Sequence, residues 1–356
     1  MRISSLVTTL SLGFLSVACA GANRGDRGPI GRTLDSERHA AEESAEQGEP
    51  ESTPVAEVPD DVVQQAAAEL SGLRTADRAA LSFETTMTYL ASADAICIGE
   101  RHDDAADHYA ELRTVQALLE RRRLRGYELG IGLEMVNASY QSALQSYVEG
   151  GVSDAALEEN VSWGTEWGFD FSYYRPVFRE SLVRFGSLVA LGVPRQVTRD
   201  VATKGLAGLN PNQRRALPEL DLHVAGHRAV FDALMTAHPG LESSGEAAQG
   251  GPSGHAPSHA EQLDRFYEAQ VVWDEAMAER AANWLTQRYP GRKLVILAGA
   301  AHCHPTAIPA RIRRRAAFTV VSVLPKAKDE PSEPGRDRLV SEYEYLLVRD
   351  SSPAAR

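Results

Sequence analysis

Two histidines, His102 and His302, stand in matching local settings far apart in the chain. Each follows a short apolar run that reaches a glycine and, three positions on, the histidine: Ile96-Cys97-Ile98-Gly99-Glu100-Arg101-His102 and Leu294-Val295-Ile296-Leu297-Ala298-Gly299-Ala300-Ala301-His302. Imidazole changes protonation near neutral pH, so a pair can serve as acid, base or metal ligand. Two carboxylates join them: Glu100 lies inside the first motif, and Glu134 falls near the end of the apolar run 129–135. An unpaired acid at a buried strand end is costly, so Glu134 needs a metal, a cation or a hydrogen-bond partner. Two chemistries follow. His102, Glu134 and His302 could hold a divalent metal, or His102 or His302 could activate water while Glu100 and Glu134 orient it. A hydrogen-bond network that only supports the fold would draw on the same residues.

The elements that must position these groups are buried strands, because short β-branched runs bounded by glycine suit the interior of a parallel sheet. Strands are expected at 96–98, 129–135, 187–191, 294–298, 318–324 and 343–348, alternating with helices. That alternation predicts an α/β protein: a mostly parallel sheet flanked by helices, with a helical cap subdomain. In such sheets ligands sit outside the carboxyl ends of the strands, so Glu100, His102, Glu134, Arg195 and His302 should share one rim.

Further along, Val62, Val63, Ala66 and Leu70 recur at helical spacing, and Asp103 and Asp104 can cap a helix carrying Tyr109, Leu112, Val115 and Leu119. Helices are also expected at 141–148, at 222–237 with His223, His227 and His238, and at 260–288, where Gln270 falls on the apolar stripe and Asp274 lies one turn on. Residues 326–337 read as a polar linker. Trp163, Trp167, Phe169, Phe171, Tyr173, Tyr174 and Phe178 crowd into one segment. A packed cap explains most of them, and an apolar wall for a flat ligand is the sharper reading.

A net charge of −12 argues against nucleic acid and against adhesion to an anionic membrane through a basic patch. Three cysteines are too few for a disulfide scaffold. Cys97 and Cys303 adjoin the two motifs; a disulfide could join them, but two buried free thiols are the favoured expectation. Residues 1–19 read as an export signal of lipoprotein type, in which Cys19 becomes the lipidated mature N-terminus; with an A-x-A cleavage instead, the protein is secreted. Residues 20–60 form a solvated acidic spacer with almost no large apolar side chain. The folded domain is expected at 61–325, with 239–258 as an exposed loop insertion and 326–356 as linker, terminal strand and tail.

In order along the chain, Ile98-Gly99-Glu100-Arg101-His102-Asp103, Gly132-Leu133-Glu134-Met135, Tyr174-Arg175-Pro176, His227-Arg228-Ala229, Gln270-x-x-Trp273-Asp274-x-x-Met277-Ala278 and Ala298-Gly299-Ala300-Ala301-His302 resemble the ChaN family of iron-regulated, haem-binding lipoproteins. The resemblance spans residues 94–325. It implies a bacterial cell-envelope protein that is lipid-anchored to a membrane, acts in haem or iron acquisition, and holds haem between the two protomers of a homodimer. It also implies a tyrosine on the iron, since a phenolate is a known axial ligand. Tyr174 is the first choice and Tyr173 the second, with Arg195, His227 or Arg228 meeting the propionates. The wider Tiki superfamily, which includes the erythromycin esterases, shares the paired Gly-x-x-His and a glutamate. A metal- or His/Glu-dependent hydrolase, esterase or peptidase, is therefore the alternative. The long acidic spacer and the 239–258 loop depart from the family.

Overall fold

The computed structural model describes residues 58–236, 258–287 and 291–350. In chain order the elements are α1 (Val62–Gln65), β1 (Leu70–Arg74), β2 (Ala79–Ser82), α2 (Phe83–Leu90), β3 (Ala95–Glu100), α3 (Ala105–Arg125), β4 (Glu128–Asn137), α4 (Gln141–Val148), α5 (Asp154–Asn160), α6 (Trp163–Glu166), α7 (Arg175–Arg184), β5 (Ser187–Gly192) and α8 (Arg195–Lys204). There follow α9 (Pro211–Ala216), α10 (His227–Thr236), α11 (His259–Leu285), β6 (Arg292–Gly299), α12 (Ala300–Cys303), α13 (Ile308–Arg315), β7 (Val320–Ala327), α14 (Pro334–Glu342) and β8 (Tyr345–Arg349). The signal segment, Cys19, most of the spacer, the loop at 239–257 and the last six residues lie outside the described residues.

One eight-stranded sheet runs in the order β2-β1-β8-β7-β3-β6-β4-β5. The strands from β8 to β5 are parallel, and β1 joins β8 antiparallel at one side. The α/β expectation, with helices flanking a mostly parallel sheet, is therefore met. All six residues of β3 are buried, as a strand with helices on both faces requires. Side chains alternate across it: Ile96 and Ile98 pack with α3, α4 and α7 on one face, whereas Ala95 and Cys97 pack with α11, α12 and α13 on the other. β3 lies beside β6 in a register that sets Gly99 opposite Ala298 and Glu100 opposite Gly299. This pairing brings the two Gly-x-x-His motifs together. At the far edge, Gln141 and Arg280 bond their side chains to the backbone of β5, which blunts a strand end open to aggregation.

Three local expectations fail. The helical pattern from Val62 ends after four residues, and Leu70 opens a hairpin strand instead. Asp77 caps the Ala79 backbone N–H, and Arg78 takes a left-handed φ of 56°, so turn chemistry overrides the apolar spacing. The polar segment at 326–337 contains the start of α14, whose Leu339 is buried in the second core. Cys97 and Cys303 are not free thiols. Cys97 and Cys303 form a disulfide with a Cα–Cα distance of 5.2 Å, because strand pairing and the turn of α12 bring β3 and the second motif into range.

Candidate functional site

Glu100 ends β3 and is 1% exposed. Its Oε1 lies 2.7 Å from His102 Nδ1 and accepts a hydrogen bond from the Tyr174 hydroxyl at 3.2 Å. Its Oε2 lies 2.9 Å from Nδ1 of His108, one turn into α3. His108 Nδ1 also bonds Glu111 Oε2 at 2.9 Å, and His108 Nε2 donates to the His102 carbonyl at 3.1 Å. Asp104 starts this helix by accepting from the N–H groups of Ala106 and Asp107, which fixes where His108 and Glu111 fall. Burial would raise the Glu100 carboxyl, but His108 and His102 hold it far below its ordinary range. Glu111 goes the other way: burial and the nearby Glu100 charge push it up to about 8. Two carboxylates that share one imidazole cannot both ionise freely in a dry interior.

The second motif mirrors the first. His302 Nδ1 lies 2.6 Å from Asp274 Oδ1, and its Nε2 lies 3.2 Å from Glu134 Oε1. The other Glu134 oxygen accepts the Gly299 N–H at 2.7 Å. Behind Asp274, at 3.0 Å, is His227 Nε2, and His227 Nδ1 in turn faces Tyr267 and the fully buried Arg311. Burial would strip the proton from His302, yet Glu134 and Asp274 win and raise its pKa to about 10. His302 is thus an imidazolium with both N–H groups engaged. The Gln270 amide lies 2.9 Å from Nδ1; with Nδ1 protonated, the amide oxygen must be the atom that faces the ring.

The two rings converge on Gly299. A Cβ there would stand 3.0 Å from His102 Cε1 and 3.7 Å from His302 Cδ2, so a side chain at this position would press on the His102 ring and meet that of His302 in ordinary contact. Trp167 and Phe169 close on His102 with ring centroids at 4.7 Å and 4.9 Å, and Trp273 stands 5.3 Å from His302. All three aromatics are half-buried. Chemically this is a base-and-orienter pair: the Glu100 carboxylate accepts the hydrogen bond of His102 Nδ1–H, which leaves Nε2 as the lone-pair side of that tautomer.

Glu100, His102, Glu134 and His302 therefore meet as expected, but the metal set His102, Glu134 and His302 does not. Among the described residues, the His, Cys, Asp or Glu donors that lie within 4.8 Å of one another are those of Glu100, His108 and Glu111 instead. Tyr174 reaches the site, though not as a ready iron ligand. It is 2% exposed, and burial together with the Glu100 charge pushes its hydroxyl well above 10. Tyr173 is half-buried, with its ring 5.3 Å from that of His108. Arg195 sits at the rim, bonding Glu166 through its backbone N–H and the Thr165 carbonyl through its guanidinium. His227 is buried behind Asp274 rather than presented to a propionate. Arg228 is paired with Asp232 and Asp264. Sequence reasoning singled out Gln270 and Asp274 by spacing but gave them no role. It missed His108 and Glu111. The signal was there, since Asp104, His108 and Glu111 repeat at helical spacing as a second stripe beside the apolar one.

The fold and the site together define an α/β protein whose ligand rim is built from twin Gly-x-x-His turns. The sequence model of the family described as haem-binding uptake, Tiki superfamily, ChaN matches residues 86–312, more than half of the chain, and the chain belongs to this family. Among solved structures, the ChaN of Campylobacter jejuni with cofacially bound haem is 18% identical with a TM-score of 0.58, over 79% of this chain and 97% of that one. That likeness establishes a common fold. An erythromycin esterase variant in its open conformation is 15% identical with a TM-score of 0.39, over 81% of this chain and 84% of that one. No curated protein matches the chain.

Proposed function

We propose that this protein binds haem against the rim formed by Trp167, Phe169, Tyr173 and Trp273, and that it does so as a lipid-anchored cell-envelope protein in haem or iron acquisition. Membership of a haem-binding uptake family is the observation that carries the reading. The rim supports it, since half-buried aromatics around a few charged groups suit a flat, greasy, anionic ligand. The Arg195 guanidinium at the rim supplies positive charge for propionates. For the iron ligand the choice moves from Tyr174 to Tyr173. Ionising Tyr174 beside Glu100 would place two negative charges in a dry core, whereas Tyr173 needs only to turn outward. Export is supported by the Cys97–Cys303 disulfide, a bond at home in oxidising compartments. The haem is proposed to sit between two copies of the chain.

A second reading, hydrolysis, is favoured by one observation: His102 is oriented by Glu100 with its Nε2 side free of any described hydrogen bond. One experiment separates the two. Protein freed of residues 1–57 is titrated with ferric haem in the ultracentrifuge, and the same sample is assayed on nitrophenyl esters with and without haem. A shifted Soret band with phenolate charge-transfer features, lost in Tyr173→Phe, and a heavier haem-loaded species are expected. An unshifted band defeats the haem reading; ester turnover that vanishes in His102→Gln would replace it with the hydrolase.

A further inference from the structure

The cluster beneath His102 has an arrangement that haem binding leaves unused. Glu100, His108 and Glu111 are each at most 1% exposed, and one donor atom from each lies within 4.8 Å of the others. His108 Nε2 faces the His102 carbonyl at 3.1 Å. A carbonyl only accepts, so Nε2 carries the proton. Nδ1 faces Glu100 Oε2 and Glu111 Oε2 at 2.9 Å each, and against burial these two carboxylates raise the pKa of the ring well above its ordinary value, so without a cation Nδ1 holds a second proton. Once that proton leaves, three electron-pair donors converge on one buried spot, which a cation can fill in its place. The carboxylates also have capacity to spare. Glu111 Oε1 is buried without a hydrogen-bond partner among the described residues, and Glu100 Oε2 has only its ion contact with His108.

A proton on Nδ1 can align with only one of the two oxygens, and the trio is then neutral only with a second proton on Glu111, whose carboxyl burial and the Glu100 charge push up to about 8. A divalent cation meets all three donors and makes the set neutral. We propose that Glu100, His108 and Glu111 form a buried site for a first-row divalent cation. One imidazole nitrogen and two carboxylates are a borderline donor set, suited to zinc, cobalt, manganese or ferrous iron. The His102 carbonyl on Nε2–H is the kind of outer contact that holds a ligating imidazole in its tautomer. Metal–ligand distances of about 2.0–2.2 Å require the donors to part by a few tenths of an ångström, and Glu111 Oε1 can close a fourth position. The site is independent of the haem reading. It also touches the rim, because a cation on Glu100 would weaken that carboxylate's hold on His102 Nδ1.

The test uses the full chain, stripped with a chelator and titrated with Co2+ and then Zn2+. The visible bands of bound Co2+ and the melting temperature are followed. One equivalent of Co2+ should bind per chain, with bands that Zn2+ displaces and a rise in Tm. Glu111→Gln keeps the shape but removes a ligand charge, and should weaken binding at least about tenfold. His108→Gln is the second variant, with near-UV circular dichroism confirming that each is folded. Absence of Co2+ bands and of any Tm change means that a proton alone fills the spot and overturns the proposal. Bands that persist undiminished in both folded variants place the metal elsewhere and overturn it equally.

Discussion

Asp274→Asn removes one charge from the His302 cradle while keeping its volume. Asp274 is fully buried and lies 2.6 Å from His302 Nδ1 and 3.0 Å from His227 Nε2. With Glu134 it holds the His302 pKa at about 10 against an ordinary 6.5, a preference for the imidazolium on the order of 5 kcal/mol. Losing one of two carboxylates should forfeit roughly half of that, about 2–3 kcal/mol, and bring the titration down to about pH 8. The sign follows from linkage. A raised histidine pKa contributes stability that is complete below 6.5 and is lost as pH rises through about 10. Asp274 and Glu134 are depressed, so their share is present above the ordinary carboxylate range and is lost as pH falls. The wild type should therefore weaken on approaching pH 10, and the variant about two pH units sooner. Imidazole nitrogen shifts by NMR give the titration directly, and urea midpoints across the same pH range give the stability. A wild-type His302 that deprotonates near 6.5, or a titration unmoved in Asp274→Asn, would refute the argument.

Two further outcomes are expected. The Cys97–Cys303 bond closes a separation of 206 residues, for which chain entropy sets a ceiling of about 5 kcal/mol; reduction should cost about 2–4 kcal/mol, read as a lower urea midpoint. Two extra free thiols in denatured, unreduced protein would contradict it. Labelled palmitate should enter the protein made in a bacterial host and be absent from Cys19→Ser; equal labelling of both would remove Cys19 as the anchor.

What the sequence made legible was whatever depends on one strand at a time. The runs ending in Gly99 and Gly299 are buried on both faces, so an unbroken apolar pattern was enough to place them and their histidines at the carboxyl edge. The β1–β2 hairpin was not legible, because its strands are only four to five residues long and almost all of their residues are partly or fully exposed. The disulfide could not be read either, since it depends on which strand lies beside β3, and strand order is not written locally. His108 and Glu111 were hidden for a different reason. Charged residues on a helix normally mark its solvent face, and these are buried only because α3 turns that stripe toward the end of β3.

The rim gathers seven ionisable side chains that are 5% exposed or less: Glu100, His102, His108, Glu111, Glu134, Asp274 and His302. Removing such ions from water costs several kcal/mol each, and apolar residues of similar volume often support a fold as well or better. A cluster of this kind at the ligand-binding end of a parallel sheet is therefore better explained by chemistry than by stability. The two halves are not equivalent. Around His302 every nitrogen is taken and its charge is fixed between the Asp274 and Glu134 carboxylates, so that half can act on a ligand only through its field. Around Glu100 valences are open: among the described residues His102 Nε2 has no described hydrogen bond and Glu111 Oε1 has no hydrogen-bond partner. Coordination and proton transfer belong to that half. Substitutions at Asp274 or Glu134 should accordingly change affinity for an anionic ligand in a salt-dependent way, while those at Glu100 or Glu111 should change which atom is bound.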